Sequence, residues 1–163
     1  MRLYLVQHGE AKVETEDPRR PLTERGAREV RKIAEFLKKA GVRVEKIFHS
    51  GKLRAIQTAE IFAEVLGAEV EQTEGLDPLS DPKIWAERVE RLTSDVMIVG
   101  HLPHLGKLVS YLVAKNEELK IVEFRYAGVV CLERGGDRWA VIWAVRPELL
   151  PPDDMASRQE PHG

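Results

Sequence analysis

Short apolar runs alternate along the chain with longer stretches whose apolar residues recur at helical spacing, and this alternation constrains the fold more than any other feature. Leu3 to Val6, Lys46 to Phe48, Val96 to Val99 and the region of Val129 and Val130 are rich in β-branched or aromatic residues. Each is closed by polar or glycine signals, as buried strands are. Thr23 to Lys39 places Ala27, Val30, Ile33, Ala34 and Leu37 on one helical face, with Thr23 as the cap and Gly41 as the stop. A second helix is predicted over Leu53 to Leu66, stopped by Gly67, and a third from Pro82 through Leu92. Leu105, Leu108, Val109, Leu112 and Val113 form a further helical stripe entered through Pro103. Strands alternating with helices imply an α/β fold: a three-layer α/β/α sandwich around a mostly parallel sheet. Phe124 to Leu132 and Trp139 to Val145 flank a stretch containing Gly135-Gly136, which predicts an antiparallel edge hairpin near the C-terminus. With 163 residues the chain is expected to form one domain over 1–147. Periodicity is lost after Pro147, so 148–163 is expected to be a loose C-terminal tail.

Charge removes several classes of partner. Lys and Arg number 25 against 27 Asp and Glu, a net charge of −2. No global field exists for gripping nucleic acid or an anionic membrane, so any anion site must be built locally. Trp85, Trp139 and Trp143 form no basic-aromatic platform and are read as packing residues. Cys131 is the only cysteine, which excludes an intrachain disulfide and a cysteine-based zinc site. The first apolar run turns polar at Gln7-His8, too soon for a signal peptide, and no run of about 18 apolar residues occurs. A cytoplasmic monomer with no nucleic-acid or membrane partner is the expectation.

In an open parallel sheet the strands end at one edge, where ligands bind. His8-Gly9-Glu10 follows the first predicted strand, His49-Ser50 with Lys52 and Arg54 follows the second, and Gly100-His101 follows the third. Three distant segments thus bring two histidines and an arginine to one rim. Neutral imidazole is a competent nucleophile near pH 7, and guanidinium offers a planar fork of donors matched to phosphate oxygens. Gly9 and the helix start near Gly51-Lys52 add candidate backbone donors, so the set suits phosphoryl transfer. Ser50 is read as a helix cap, since no Gly-x-Ser-x-Gly elbow surrounds it. His8, Glu10, His49, His101 and His104 can also be drawn as metal ligands, which gives a rival reading as a metal-dependent hydrolase. The His101-Leu-Pro-His104 spacing lacks the i, i+4 arrangement of helical zinc ligands, so no metal and no cofactor is expected.

Leu5-Val6-Gln7-His8-Gly9-Glu10-Ala11, Arg20-Pro21-Leu22-Thr23-Glu24-Arg25-Gly26, Ser50-Gly51-Lys52-Leu53-Arg54-Ala55-Ile56-Gln57-Thr58-Ala59 and Val99-Gly100-His101-Leu102-Pro103 occur in that order. Together they resemble the histidine phosphatase superfamily, and within it the small phosphohistidine phosphatases of the SixA type, with a phosphoglycerate mutase-like fold. The resemblance implies that His8 is a nucleophile that becomes phosphohistidine, that Arg54 and His101 bind and stabilise the phosphoryl group, and that Arg20 reaches it from the rim. Its implied substrate is phosphohistidine on a protein, or a small phosphorylated molecule.

The family signature has arginine before the nucleophile, where this chain has Gln7, an uncharged donor. Losing one preorganised contact costs about 10²- to 10³-fold in turnover. Arg54 remains, with Lys12, Arg19, Arg20 and Lys52 near in sequence, and activity is expected to persist. The alternative is a phosphate-binding or interaction module whose catalysis is lost with the arginine. Little chain is free between Arg54 and His101 for a lid, and Glu10, Glu74 and Asp77 are the candidate proton donors. An open pocket suits a phosphoramidate. His8 must be neutral to attack while His101 works best charged, so their pKa values are expected to be driven apart.

Overall fold

β1 (Arg2–Gln7) is flanked by β4 (Val96–Gly100), parallel, and by β5 (Val129–Gly135), antiparallel. The structure is a computed structural model that describes residues 1–151. Its six-stranded sheet runs β3-β2-β4-β1-β5-β6, with β2 at Lys46–His49, β3 at Glu69–Gln72 and β6 at Arg138–Val145. The first four strands of that order are mutually parallel, and the β5-β6 hairpin is the antiparallel edge. The expected three-layer sandwich is therefore present. No helix of the described residues is long and apolar enough to cross a membrane.

Alternation along β1 explains the layers, because successive side chains of a strand point to opposite faces. Leu3 and Leu5 join Phe48 and Ile98 against α3 (Pro82–Glu90) and α4 (His104–Ala114). Tyr4 and Val6 join Ile47, Met97 and Val99 against α1 (Glu24–Lys39) and α2 (Leu53–Leu66). Of the expected α1 stripe, Val30, Ile33, Ala34 and Leu37 are buried, while Ala27 is half-buried. Val30, Ile33 and Leu37 each contribute about 1.5–3 kcal/mol by leaving water. Thr23 caps α1 by accepting from the Gly26 N–H at 2.9 Å. Gly26 is required by close approach: a Cβ there would lie 2.1 Å from the Glu10 carbonyl oxygen. The loop after β1 thus rests directly on the first turn of α1.

The details depart from the expected pattern at four places. β3, Glu-Val-Glu-Gln at the sheet edge, has no apolar run to announce it and three of its four residues are exposed. Phe124 to Gly128 is a turn, not strand, and Ala127 takes a left-handed φ of 61°. The hairpin strands instead extend inward, leaving Gly136-Asp137 as the connection, with Gly136 at φ 64°. Beyond β6, Pro147–Leu149 forms a 3-10 turn, and the Lys32 Nζ donates to the Leu150 carbonyl at 3.4 Å. The stretch expected to be loose from residue 148 is thus ordered at its start; the remainder of that tail, 152–163, lies outside the described residues.

Candidate active site

Strand register brings the histidines together. Gln7 pairs with Gly100 in the parallel β1-β4 ladder, so His8 and His101 are the next residues on adjacent strands. The His8 N–H donates to the Gly100 carbonyl at 3.1 Å, carrying the pairing one step past the strands. Adjacent strands lie about 4.8 Å apart, and the two imidazole centroids are 5.1 Å apart with planes tilted by 51°. β2 lies on the other side of β4 and delivers Ser50, whose Oγ shares a 2.6 Å hydrogen bond with His101 Nε2. On the β5 side, the Tyr126 ring lies 5.6 Å from the His8 ring. The C-terminal edge of the sheet therefore presents Tyr126, His8, His101 and Ser50 in strand order.

Hydrogen bonding fixes the His8 tautomer. Its Nδ1 is 2.7 Å from the Gly9 carbonyl oxygen. A carbonyl can only accept, so Nδ1 carries the proton and Nε2 keeps its lone pair. Burial drives the His8 pKa down to about 4, assisted by the charges of Arg54 and Arg20 and opposed by the bond to Gly9. His101 is driven to about 3, first by burial and then by His8, Arg54, Lys52 and His104. Both rings are neutral at pH 7. The expected separation of their pKa values is not found, because burial and the charge of Arg54 push both in the same direction.

Arg54 sits in the first turn of α2, whose N-cap residue is Lys52. Burial and the Arg20 charge lower its pKa. Its Nε is buried without a hydrogen-bond partner, as are Gln7 Oε1 and His101 Nδ1. Arg20 holds a left-handed φ of 50° and anchors its Nε on the Lys12 carbonyl at 3.1 Å. His8 lies beside His101 and feels the charges of Arg54 and Arg20, and Arg54 also acts on His101.

Other candidates have different positions from those expected. The Gly9 N–H, expected to face phosphate, donates to Thr58 Oγ1 at 3.0 Å, and Thr58 in turn donates to the Arg54 carbonyl at 2.8 Å. Gly9 ties β1 to α2, and a Cβ there would lie 2.7 Å from Val30 Cγ2. Glu10 Oε1 accepts from the Thr23 hydroxyl at 2.8 Å, next to the α1 cap. Glu74 and Asp77 line a cleft of about 610 Å³ with Ser50, Gln72, Thr73 and Gly75, on the His101 side of the edge. His49 accepts the Gly51 N–H at 3.0 Å and shapes the turn into α2. Ser50 is not the helix cap expected: α2 is entered at Lys52 with no side-chain cap bond, and the Ser50 hydroxyl accepts the Lys52 N–H at 3.3 Å in the turn before it while also holding His101. Among the described residues no three His, Cys, Asp or Glu come together as metal ligands. A second cavity, of about 630 Å³, lies between Lys46, Gly67, Arg91 and Ser94 and contains none of these groups.

Tyr126, Thr58 and the second role of Ser50 escape sequence reasoning. Tyr126 reaches the site only because β5 pairs with β1, which no local pattern states. The sequence profile of the histidine phosphatase superfamily (branch 1) matches residues 3–80. The phosphohistidine phosphatase SixA of Escherichia coli is 34% identical over 119 residues, covering 69% of this chain and 74% of that protein. The chain belongs to the histidine phosphatase superfamily, SixA type. An uncharacterized protein of a Picosynechococcus species is also 34% identical, over 146 residues, covering 85% of this chain and 88% of that protein. The solved structure of the protein histidine phosphatase SixA complexed with tungstate superposes with a TM-score of 0.82 at 27% identity, covering 93% of this chain and all of that one. The fold of this SixA-type chain is accordingly the phosphoglycerate mutase-like α/β fold, and its class of activity is that of a histidine-phosphatase-type phosphatase.

Proposed function

We propose that the protein hydrolyses phosphohistidine on a protein substrate, without a metal, through a covalent phosphohistidine on His8. The observation carrying this reading is the pairing of His8 with His101 at 5.1 Å while His8 Nδ1–H is locked on Gly9. The locked ring aims the Nε2 lone pair outward as the nucleophile. It attacks phosphorus, the bond from phosphorus to the leaving nitrogen breaks, and that nitrogen keeps the electron pair. A substrate imidazole protonated on its other nitrogen then leaves as a neutral ring, which needs no strong acid from the enzyme. Water attacks phospho-His8, the P–Nε2 bond breaks, and inorganic phosphate departs with neutral imidazole restored. Arg54 and His101 support the equatorial oxygens, and Arg20 approaches from the rim. Two buried unpartnered nitrogens, Arg54 Nε and His101 Nδ1, support a polar ligand here, since buried polar groups ordinarily find partners. The tungstate bound by the SixA relative supports a tetrahedral oxyanion as that ligand.

The test is a panel of a phosphohistidine protein, phosphoserine and an aryl phosphate, each with and without chelator, on wild type and His8→Ala. The expected result is chelator-resistant turnover fastest on phosphohistidine, with acid-labile label trapped on wild type alone. A fully active His8→Ala protein overturns the mechanism. Tight vanadate binding without turnover of any substrate selects instead the phosphate-binding module.

A further inference from the structure

Tyr126 lies at the site, yet the mechanism gives it no part. Its ring stands 5.6 Å from the His8 ring at an interplanar angle of 42°, within the range of aromatic contact. It is nevertheless 39% exposed, so one side meets the nucleophile while the rest faces solvent. The turn that presents it is held to the end of β1: the Ala127 N–H donates to the Gln7 carbonyl at 3.0 Å, and the Gln7 N–H donates to the Gly128 carbonyl at 3.3 Å. Ala127 is fully buried with φ 61°, a conformation costing a non-glycine residue on the order of 1 kcal/mol. Such strain persists only where surrounding contacts over-determine it. Tyr126 is therefore fixed with respect to His8 rather than swinging on a free loop. The opposite flank, beyond Ser50, is polar and acidic, lined by Gln72, Glu74 and Asp77. Of the two flanks of the row, the Tyr126 side is, among the described residues, the one that offers an aromatic wall.

We propose that Tyr126 is a specificity-determining residue: its exposed ring face is the surface against which a flat aromatic leaving group, the imidazole of phosphohistidine or an aryl ring, lies during phosphoryl transfer. This rests on the phosphatase reading above and names what that site selects. A ring on the phosphoryl nitrogen or oxygen gains contact that a bare amino or alkyl leaving group cannot make. Because the contact exists in the bound substrate and persists through transfer, its loss is carried mainly by KM.

The test compares free phosphohistidine with phosphoramidate, which shares the P–N bond but has no ring, and p-nitrophenyl phosphate with phosphoserine. Wild type, Tyr126→Phe and Tyr126→Leu are assayed for kcat and KM on all four. In Tyr126→Leu the ring-bearing to ringless ratio of kcat/KM is expected to fall about three- to tenfold, chiefly through KM. Tyr126→Phe is expected to keep the wild-type ratio. An equal fall for all four substrates, as from a residue that merely props His8, overturns the proposal. So does an unchanged ratio, or a loss in Tyr126→Phe as large as in Tyr126→Leu. Wild type inactive on all four removes the phosphatase reading itself, and this inference with it; wild type active with an unmoved ratio removes the inference alone.

Discussion

Gln7 ends β1 one residue before His8, buried at 8% exposure with its Oε1 unpartnered. A glutamine amide places one neutral donor group and one acceptor where the family pattern has a cation. The neutral amide therefore forgoes the charge-assisted contact that a cation would make with a phosphoryl oxygen. Arg20 and Arg54 supply the positive charge that remains, and both act on His8. Gln7→Arg is expected to raise kcat/KM for phosphoramidate by at least about tenfold, toward the 10²- to 10³-fold worth of one preorganised donor. Steady-state kinetics on both forms check this. Unchanged turnover would mean that Arg20 already fills the position electrostatically.

At the scale of elements, β1 and β4 were legible because apolar runs of β-branched residues ended in Gln-His-Gly and Gly-His, and parallel pairing then placed His8 beside His101. α1 and α2 were legible from periodicity and their stops. β3 was not, because Glu69–Gln72 is a mostly exposed edge strand with only Val70 apolar. The Tyr126 turn was not, because its place depends on β5 joining β1 across more than a hundred residues of chain. α4 adds a group whose cost no periodicity reveals. His104 opens the helix, is fully buried, and leaves both ring nitrogens without partners. Burial drives its pKa to about 4, with Asp77 and Asp81 opposing. The unfolded chain holds this imidazole near pKa 6.5, so below that pH the unfolded state binds the proton and the folded state does not. Stability is therefore lost as pH falls from about 7 toward the folded value, by about 2 kcal/mol for this group between pH 7 and pH 5. His104→Leu is expected to unfold at higher urea than wild type at pH 5 and to show a shallower pH dependence. Urea titrations at pH 7 and pH 5 decide it; parallel pH dependences for the two proteins would contradict the assignment.

On the scale of the whole molecule, a net charge of −2 means that the anion site owes nothing to a global field. Its positive potential comes from Arg54, Arg20 and Lys52 converging on two imidazoles. Those cations help hold His8 at about 4 and His101 at about 3, so the rings themselves carry no charge at neutral pH. A tetrahedral dianion among them acts in the opposite direction. At an effective dielectric of about 20, one charge at about 4 Å is worth about 4 kcal/mol, or roughly three pKa units. That is enough to bring His101 into the neutral range. Binding that raises a pKa takes up protons, so oxyanion affinity should rise as pH falls through that range. Tungstate is the suitable probe because, unlike phosphate, it does not itself titrate near neutrality. Titration calorimetry in buffers of different ionisation enthalpy should show a fraction of a proton taken up per tungstate at pH 6.5, less at pH 8, and a smaller uptake in His101→Ala. Zero uptake at pH 6.5 would leave His101 a neutral hydrogen-bonding partner of the phosphoryl oxygens. The charge stabilising transfer would then come from the guanidinium groups alone.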